Sequence, residues 1–392
     1  MKKIAFATVC TCLTLFLSAQ PYQKIHKDAT VIDTHNDFIS TSIEKKVSFD
    51  QSLKGTTHSD LKRMKEGGLD IQIFSIFCDE NYGKGTAFAF ANREMDSMYA
   101  IIQRNPTNTM LVKSPNDLAT AVKKGMLGCM MGVEGGHMME DRLDYLDSLY
   151  KRGARYMTLT WNNSTDWASS AADERAKNNL GHPYGLNAFG EKVVERMNEL
   201  GMIVDISHVG EKTFYDAVRV SKKPVIASHS CAYSLCPVPR NMTDDQIKAL
   251  GKNGGVIHLN FNSGFVDSSF PAKNRAFIQR HQTEKDSLLK LNPSDFFANM
   301  RINEKYKNEI DDARPTLAQL LDHLDHIVKL IGVDHVGLGS DFDGINSTPR
   351  ELNDVADMPL ITKALIERGY SKKDIKKILG ENFIRVFKEN QQ

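Results

Sequence analysis

His35 and Asp37 stand two residues apart at the end of the apolar run Thr30-Val31-Ile32-Asp33-Thr34. In an extended strand, positions i and i+2 project to the same side. The pair therefore offers an imidazole and a carboxylate together, a donor set suited to zinc and similar divalent ions. Asn36-Asp37 is also good turn chemistry, so this pair alone does not decide between a ligand pair and a turn. Further metal-capable residues follow other apolar runs. Glu134 lies in Gly132-Val133-Glu134-Gly135-Gly136, His208 follows Asp205-Ile206-Ser207, His229 follows Ala227-Ser228, and Asp341 follows Gly339-Ser340. Each has an ordinary explanation: a hydrogen-bonded rim histidine, a glutamate capping a helix, an aspartate in a turn. All of these must hold at once for the pattern to carry no metal.

The elements that would position these residues can be read from periodicity. Eight short apolar runs alternate with helical patterns: 30–35, 69–77, 127–133, 155–160, 202–207, 224–228, 255–261 and 335–340. Several are apolar on both faces, as strands buried between helices should be. Helices are expected at 86–104, 141–152, 187–200, 211–221, 243–252 and 316–331, the last repeating Leu and Ile at helical spacing. Thr243 with Gln246 three residues on has a capping-box pattern. Eightfold strand–helix alternation implies a (β/α)8 TIM barrel in the α/β class. A doubly wound sheet would be expected to carry a glycine-rich dinucleotide loop after its first strand, and none is present. Residues 262–315 are long and charged and read as an inserted helical segment over the barrel mouth. C-terminal helices follow from near Leu360 and from Lys372.

On that framework, the six side chains fall at the C-terminal ends of five of the eight strands. Barrel enzymes place their chemistry on that rim. Three histidines and three carboxylates exceed the three protein ligands of a single catalytic zinc. Two ions about 3.5–4 Å apart, with a hydroxide between them, would use the full set. Glu134 is the best bridge, since its strand lies between the strand of His35 and Asp37 and those of His208 and His229. His137 follows Glu134 closely and is a candidate supporting residue. His258 reads as a core residue, His182 as a loop residue, and His323, His326 and His335 belong to the far side of the barrel. No His-Glu-x-x-His helix, Gly-x-Ser-x-Gly elbow or Walker loop is present.

Composition bounds the rest. The 392 residues are 41% hydrophobic and 25% charged with net charge +1, and no basic stripe points to nucleic acid or an anionic membrane. Lys2-Lys3, an apolar stretch over 4–17 and Leu17-Ser18-Ala19 read as a signal peptide spanning 1–19. The mature chain, 20–392, is expected as a single domain, secreted or periplasmic. Four cysteines then remain: Cys78, Cys129, Cys231 and Cys236. Free, buried thiols are expected, because a chain with this much core needs no staples.

These motifs, in this order, closely resemble those of the membrane (renal-type) dipeptidases, peptidase family M19, with an amidohydrolase-like barrel. The likeness rests on His35-Asn36-Asp37, the stretch from Val133-Glu134-Gly135-Gly136 to Arg155, Asp205-Ile206-Ser207-His208, Ser228-His229-Ser230, Arg240-Asn241, and Gly339-Ser340-Asp341-Phe342-Asp343-Gly344. The resemblance implies two zinc ions. His35 and Asp37 would bind one, His208 and His229 the other, and Glu134 both. Arg240 would hold the substrate's free carboxylate, for which its planar fork is suited. Asp341 would orient or deprotonate the water, protonate the leaving amine and touch substrate. A homodimer is also implied. One departure stands out: relatives carry a His after the Leu-Thr pair that here precedes Trp161-Asn162-Asn163. Asn162 could instead donate a hydrogen bond to a substrate carbonyl. No hydrophobic tail follows Phe387, so no lipid anchor is expected. The expected activity is hydrolysis of dipeptides with a free C-terminal carboxylate. The alternatives are a dizinc amidohydrolase acting on a lactam or N-acyl amino acid, and a non-catalytic binding protein.

Overall fold

A computed structural model describes residues 22–291 and 295–392. The expected leader, 1–19, lies outside them. All eight expected strands are present: β1 (Ile32–Asn36), β2 (Ile71–Phe77), β4 (Leu127–Glu134), β5 (Ala154–Thr158), β6 (Ile203–Asp205), β7 (Ile226–Ser230), β8 (Val256–Leu259) and β9 (Val336–Leu338). They pair in parallel in that order, and a short extra strand, β3 (Thr109–Leu111), pairs with the outer end of β4. The sheet is a nearly closed α/β barrel. Its seam is made at the rim: Asp341 N donates to His35 O at 3.1 Å and Asp37 N to Phe342 O at 2.9 Å. Below, Ser340 N and Oγ both donate to Asp33, at 2.8 and 2.6 Å.

The helices follow local chemistry. Pro115–Lys124 starts with Pro in its first turn behind a Ser114 cap and ends at left-handed Gly125. The helices Asp244–Asn253 and Leu317–Ile331 both begin in capping boxes, from Thr243–Gln246 and Thr316–Gln319. The larger core lies between strands and helices. A second apolar cluster includes Ile32, Ile73, Met130, Tyr156, Ile203, Ile226 and Val256, closed off by Phe383 and Phe387 of the C-terminal helix Asn382–Asn390.

Tyr156 crosses the lumen. Its hydroxyl donates to Thr34 O at 3.1 Å on β1, and a Cβ at Gly132 would lie 2.0 Å from its ring. Only glycine leaves that path open.

The 262–315 segment is helical, as expected, in five pieces from Ser263–Val266 to Lys307–Ala313. Phe277, Ile302 and Ile310 give it a small core of its own. Its first turn reaches the mouth at Phe265. Its later part lines, with Lys54–His58 and Asp343–Thr348, a side cavity of about 520 Å³. The four cysteines are buried and unpaired. Among the described residues no helix is long and apolar enough to cross a membrane.

Candidate metal centre

The rim gathers the six side chains in one buried cluster. On β1, the two readings of Asn36-Asp37 divide between the residues. Asn36 does the turn chemistry: its Oδ1 accepts from Phe38 N at 2.9 Å and its Nδ2 donates to Ser59 at 2.7 Å. Asp37 precedes the helix Phe38–Lys45 without capping it through its side chain. Its carboxylate instead stands 3.5 Å from His35 Nε2.

Glu134, the last residue of β4, splits its oxygens between two sides. Oε2 is 3.4 Å from His35 Nε2, while Oε1 is 3.0 Å from His208 Nε2 and 3.5 Å from His229 Nε2. His208 Nε2 and His229 Nε2 are 2.9 Å apart. Three overlapping groups of ligand atoms result, each within 4.8 Å: His35–Asp37–Glu134, Glu134–His208–His229 and His35–His229–Asp341.

Each histidine is held from behind through Nδ1, leaving Nε2 to face the centre. His35 Nδ1 is 2.9 Å from the Tyr156 hydroxyl, His229 Nδ1 is 2.8 Å from Ser228 Oγ, and His208 Nδ1 is 3.1 Å from Asn162 Oδ1. Ser228 Oγ in turn donates to Asp205 Oδ2 at 2.6 Å. This is how proteins orient metal-ligating imidazoles. The carboxylates are braced too. Ser75 donates to Glu134 Oε2 at 3.1 Å and Asn260 Nδ2 to Asp341 Oδ2 at 2.8 Å.

The backbone is specialised at the same points. His208 and Asp341 adopt left-handed φ of 65° and 63°, a conformation uncommon outside glycine and concentrated at functional sites. Gly344 lets the turn after β9 close in, since a Cβ there would meet Asp37 Oδ2 at 2.2 Å and Asp341 Oδ1 at 2.8 Å.

The donor set fits divalent cations. His35 Nε2 and Asp37 Oδ1 are buried without a hydrogen-bond partner. Burial, and next the Asp37 charge, push the Asp341 carboxyl up to about 8. Burial, and next Arg240, bring His208 down to about 4. His229 is lowered as well, chiefly by burial, whereas His35, despite its burial, is held well above its ordinary value by the surrounding charges of Glu134 and Asp37. Crowded carboxylates beside these imidazoles are an arrangement that bound cations would relieve.

Arg240 lies on the loop after β7, beside this cluster. Its Nη2 donates to His229 O at 3.2 Å, its guanidinium lies 5.4 Å from the Phe265 ring, and its buried Nε has no partner. Trp161 packs against Phe77 at 4.9 Å and lies 6.4 Å from His208. The Oδ1 of Asn162 is turned to His208 Nδ1. His137 binds Cys78 O at 2.9 Å and stands outside the ligand groups. His258 is a core residue bonded to Ala227 O at 2.9 Å, as expected. Sequence reasoning missed Tyr156, Ser75, Asn260 and the role of Asp205. For Asp205 a signal existed: a charge inside an apolar run.

Comparison with known proteins identifies the family and the fold. An uncharacterized dipeptidase of Schizosaccharomyces pombe is 33% identical over 398 residues, covering 96% of this chain and 84% of that one. A probable dipeptidase, PvdM, from Pseudomonas aeruginosa superposes with a TM-score of 0.73 at 24% identity, covering 94% and 97% of the two chains. A metallopeptidase from Rhodobacter sphaeroides, solved with a phosphinate mimic of L-Ala-D-Ala, gives 0.72 at 23% identity, covering 92% and 99%. Residues 19–392 match the membrane dipeptidase family, peptidase family M19, and the chain belongs to that family of metallo-dipeptidases.

Proposed function

We propose that this chain is an exported enzyme that hydrolyses dipeptides bearing a free C-terminal carboxylate, using two zinc ions. The observation that carries this is the split of Glu134 between two ligand groups, beside an arginine whose Nε lacks a partner. His35 and Asp37 would hold one ion, His208 and His229 the other, and Glu134 both. When bound, such ions would polarise a carbonyl oxygen and make the attacking water more acidic.

The chain's own residues supply the rest. Arg240 anchors the substrate carboxylate bidentately, which fixes the scissile carbonyl a short reach away and excludes longer peptides. Asp341 accepts a proton from the attacking water and returns it to the leaving nitrogen. The C–N bond breaks, the water oxygen joins the carbonyl carbon, and two amino acids leave. Export rests on the leader pattern of residues 1–19.

A substrate panel with and without chelator tests the reading. Dipeptides, including L-Ala-D-Ala because the Rhodobacter sphaeroides protein binds its phosphinate mimic, should be cleaved only by metal-loaded protein. Tripeptides should not be cleaved. Preference for N-acyl amino acids or lactams over every dipeptide would overturn the substrate assignment. Arg240→Ala should raise KM by about 10²-fold, the loss expected for a buried charged hydrogen bond, with a smaller change in kcat. Unchanged dipeptide cleavage by that variant would remove the argument for carboxylate recognition.

A further inference from the structure

The three histidines are not held alike. The partners of His35 and His229, Tyr156 and Ser228, are fully buried in the barrel. The partner of His208, Asn162, is an exposed residue of the loop after β5. That loop grips His208 at several points. Ala171 N donates to His208 O at 2.8 Å, and Ser170 bridges Val209. Ser170 Oγ also donates to Asn162 O at 2.7 Å, and Ser164, Ser170 and Asp173 knit the loop together. Of the three histidines, the one so gripped is the one with left-handed φ.

We propose that Asn162 is a positioning residue that holds His208 in ligating orientation, so that the Glu134–His208–His229 position is the more labile of the two metal positions. This rests on the two-ion reading above. An ion on Nε2 leaves the imidazole's one proton on Nδ1, and the Asn162 carbonyl oxygen is then the acceptor it needs. Without that acceptor the ring is free to turn about χ2 on a strained backbone. The other two rings keep their buried partners. On this proposal Asn162 acts through His208 and not on the substrate carbonyl, the role the sequence suggested.

Chelator competition on the full, zinc-loaded chain tests this. Wild-type protein should release its ions in two steps. Asn162→Ala should weaken one step about 10- to 100-fold, the usual effect of losing a ligand's partner, and leave the other unchanged. Asn162→Asp keeps the acceptor and should restore retention. With zinc in excess, Asn162→Ala should regain kcat with unaltered KM. The proposal is overturned if Asn162→Ala releases both ions as wild type does, or if KM stays raised at saturating zinc, as a substrate contact would require. It is also overturned if the variant's melting temperature falls as much in the metal-free as in the loaded protein. Failure of the wild type to retain two ions would overturn the two-ion reading and this proposal together. Normal metal release by the variant alone would overturn only the latter.

Discussion

Glu134→Gln is expected to empty at least one of the two proposed metal positions and lower kcat/KM by more than about 10³-fold, well beyond the 10- to 100-fold typical of a supporting residue. The reason is geometric. Glu134 Oε2 serves the His35 side and Oε1 the His208 and His229 side, at 3.4, 3.0 and 3.5 Å. Glutamine keeps the shape and the Ser75 bond but replaces one anionic oxygen with an amide group that cannot ligate. Whichever way the amide turns, one group loses its shared ligand, and the remaining charge is insufficient to hold two divalent ions close together. The fold should survive, because the surrounding strands pair through their backbones. Metal analysis after dialysis, paired with thermal melting of metal-free proteins, checks both halves. Full ion content and full activity in Glu134→Gln would show that Glu134 is not the bridge.

Asp341→Asn is expected to lower kcat by about 10²- to 10⁴-fold, the usual contribution of a positioned acid–base group, while KM changes little. Asparagine tolerates the left-handed backbone at this position better than most residues, so the φ of 63° should persist. Its carbonyl oxygen can still accept from Asn260, which now donates to Asp341 Oδ2 at 2.8 Å. What it loses is the ability to take up a proton and release it. Steady-state kinetics and metal content must be read together. Loss of activity with both ions retained supports proton transfer. Parallel loss of an ion would make Asp341 a ligand, consistent with its place among ligand atoms of His35 and His229.

Much of the site was legible because polar residues that follow apolar runs are conspicuous. His35, Glu134, His208, His229 and Asp341 each end such a run, and the barrel brings those ends together. The supporting residues were less visible. Tyr156 and Ser75 are neutral residues inside strands, with no charge to mark them, and Tyr156 acts on β1 only because it spans the lumen. Asn260 reaches Asp341 across neighbouring strand ends, which no local spacing encodes. Asn162 was found, but its Oδ1 contact with His208 depends on what the loop packs against. β3 escaped notice because three residues, one buried and two half-buried, carry no periodicity. The inserted helices were recognisable from composition and length, whereas their seat against Lys54–His58 and Asp343–Thr348 depends on tertiary packing.

The Tyr156 ring, lying across Gly132, has a consequence for traffic. It is a bulkhead: beneath it the lumen is packed with apolar side chains and the His258 ring down to Phe383 and Phe387, and above it lies an ionic chamber. Water and substrate must therefore enter, and both products leave, through the same doorway between the strand-end loops. Arrival and departure exclude one another, so each turnover must clear the chamber before the next dipeptide can be seated.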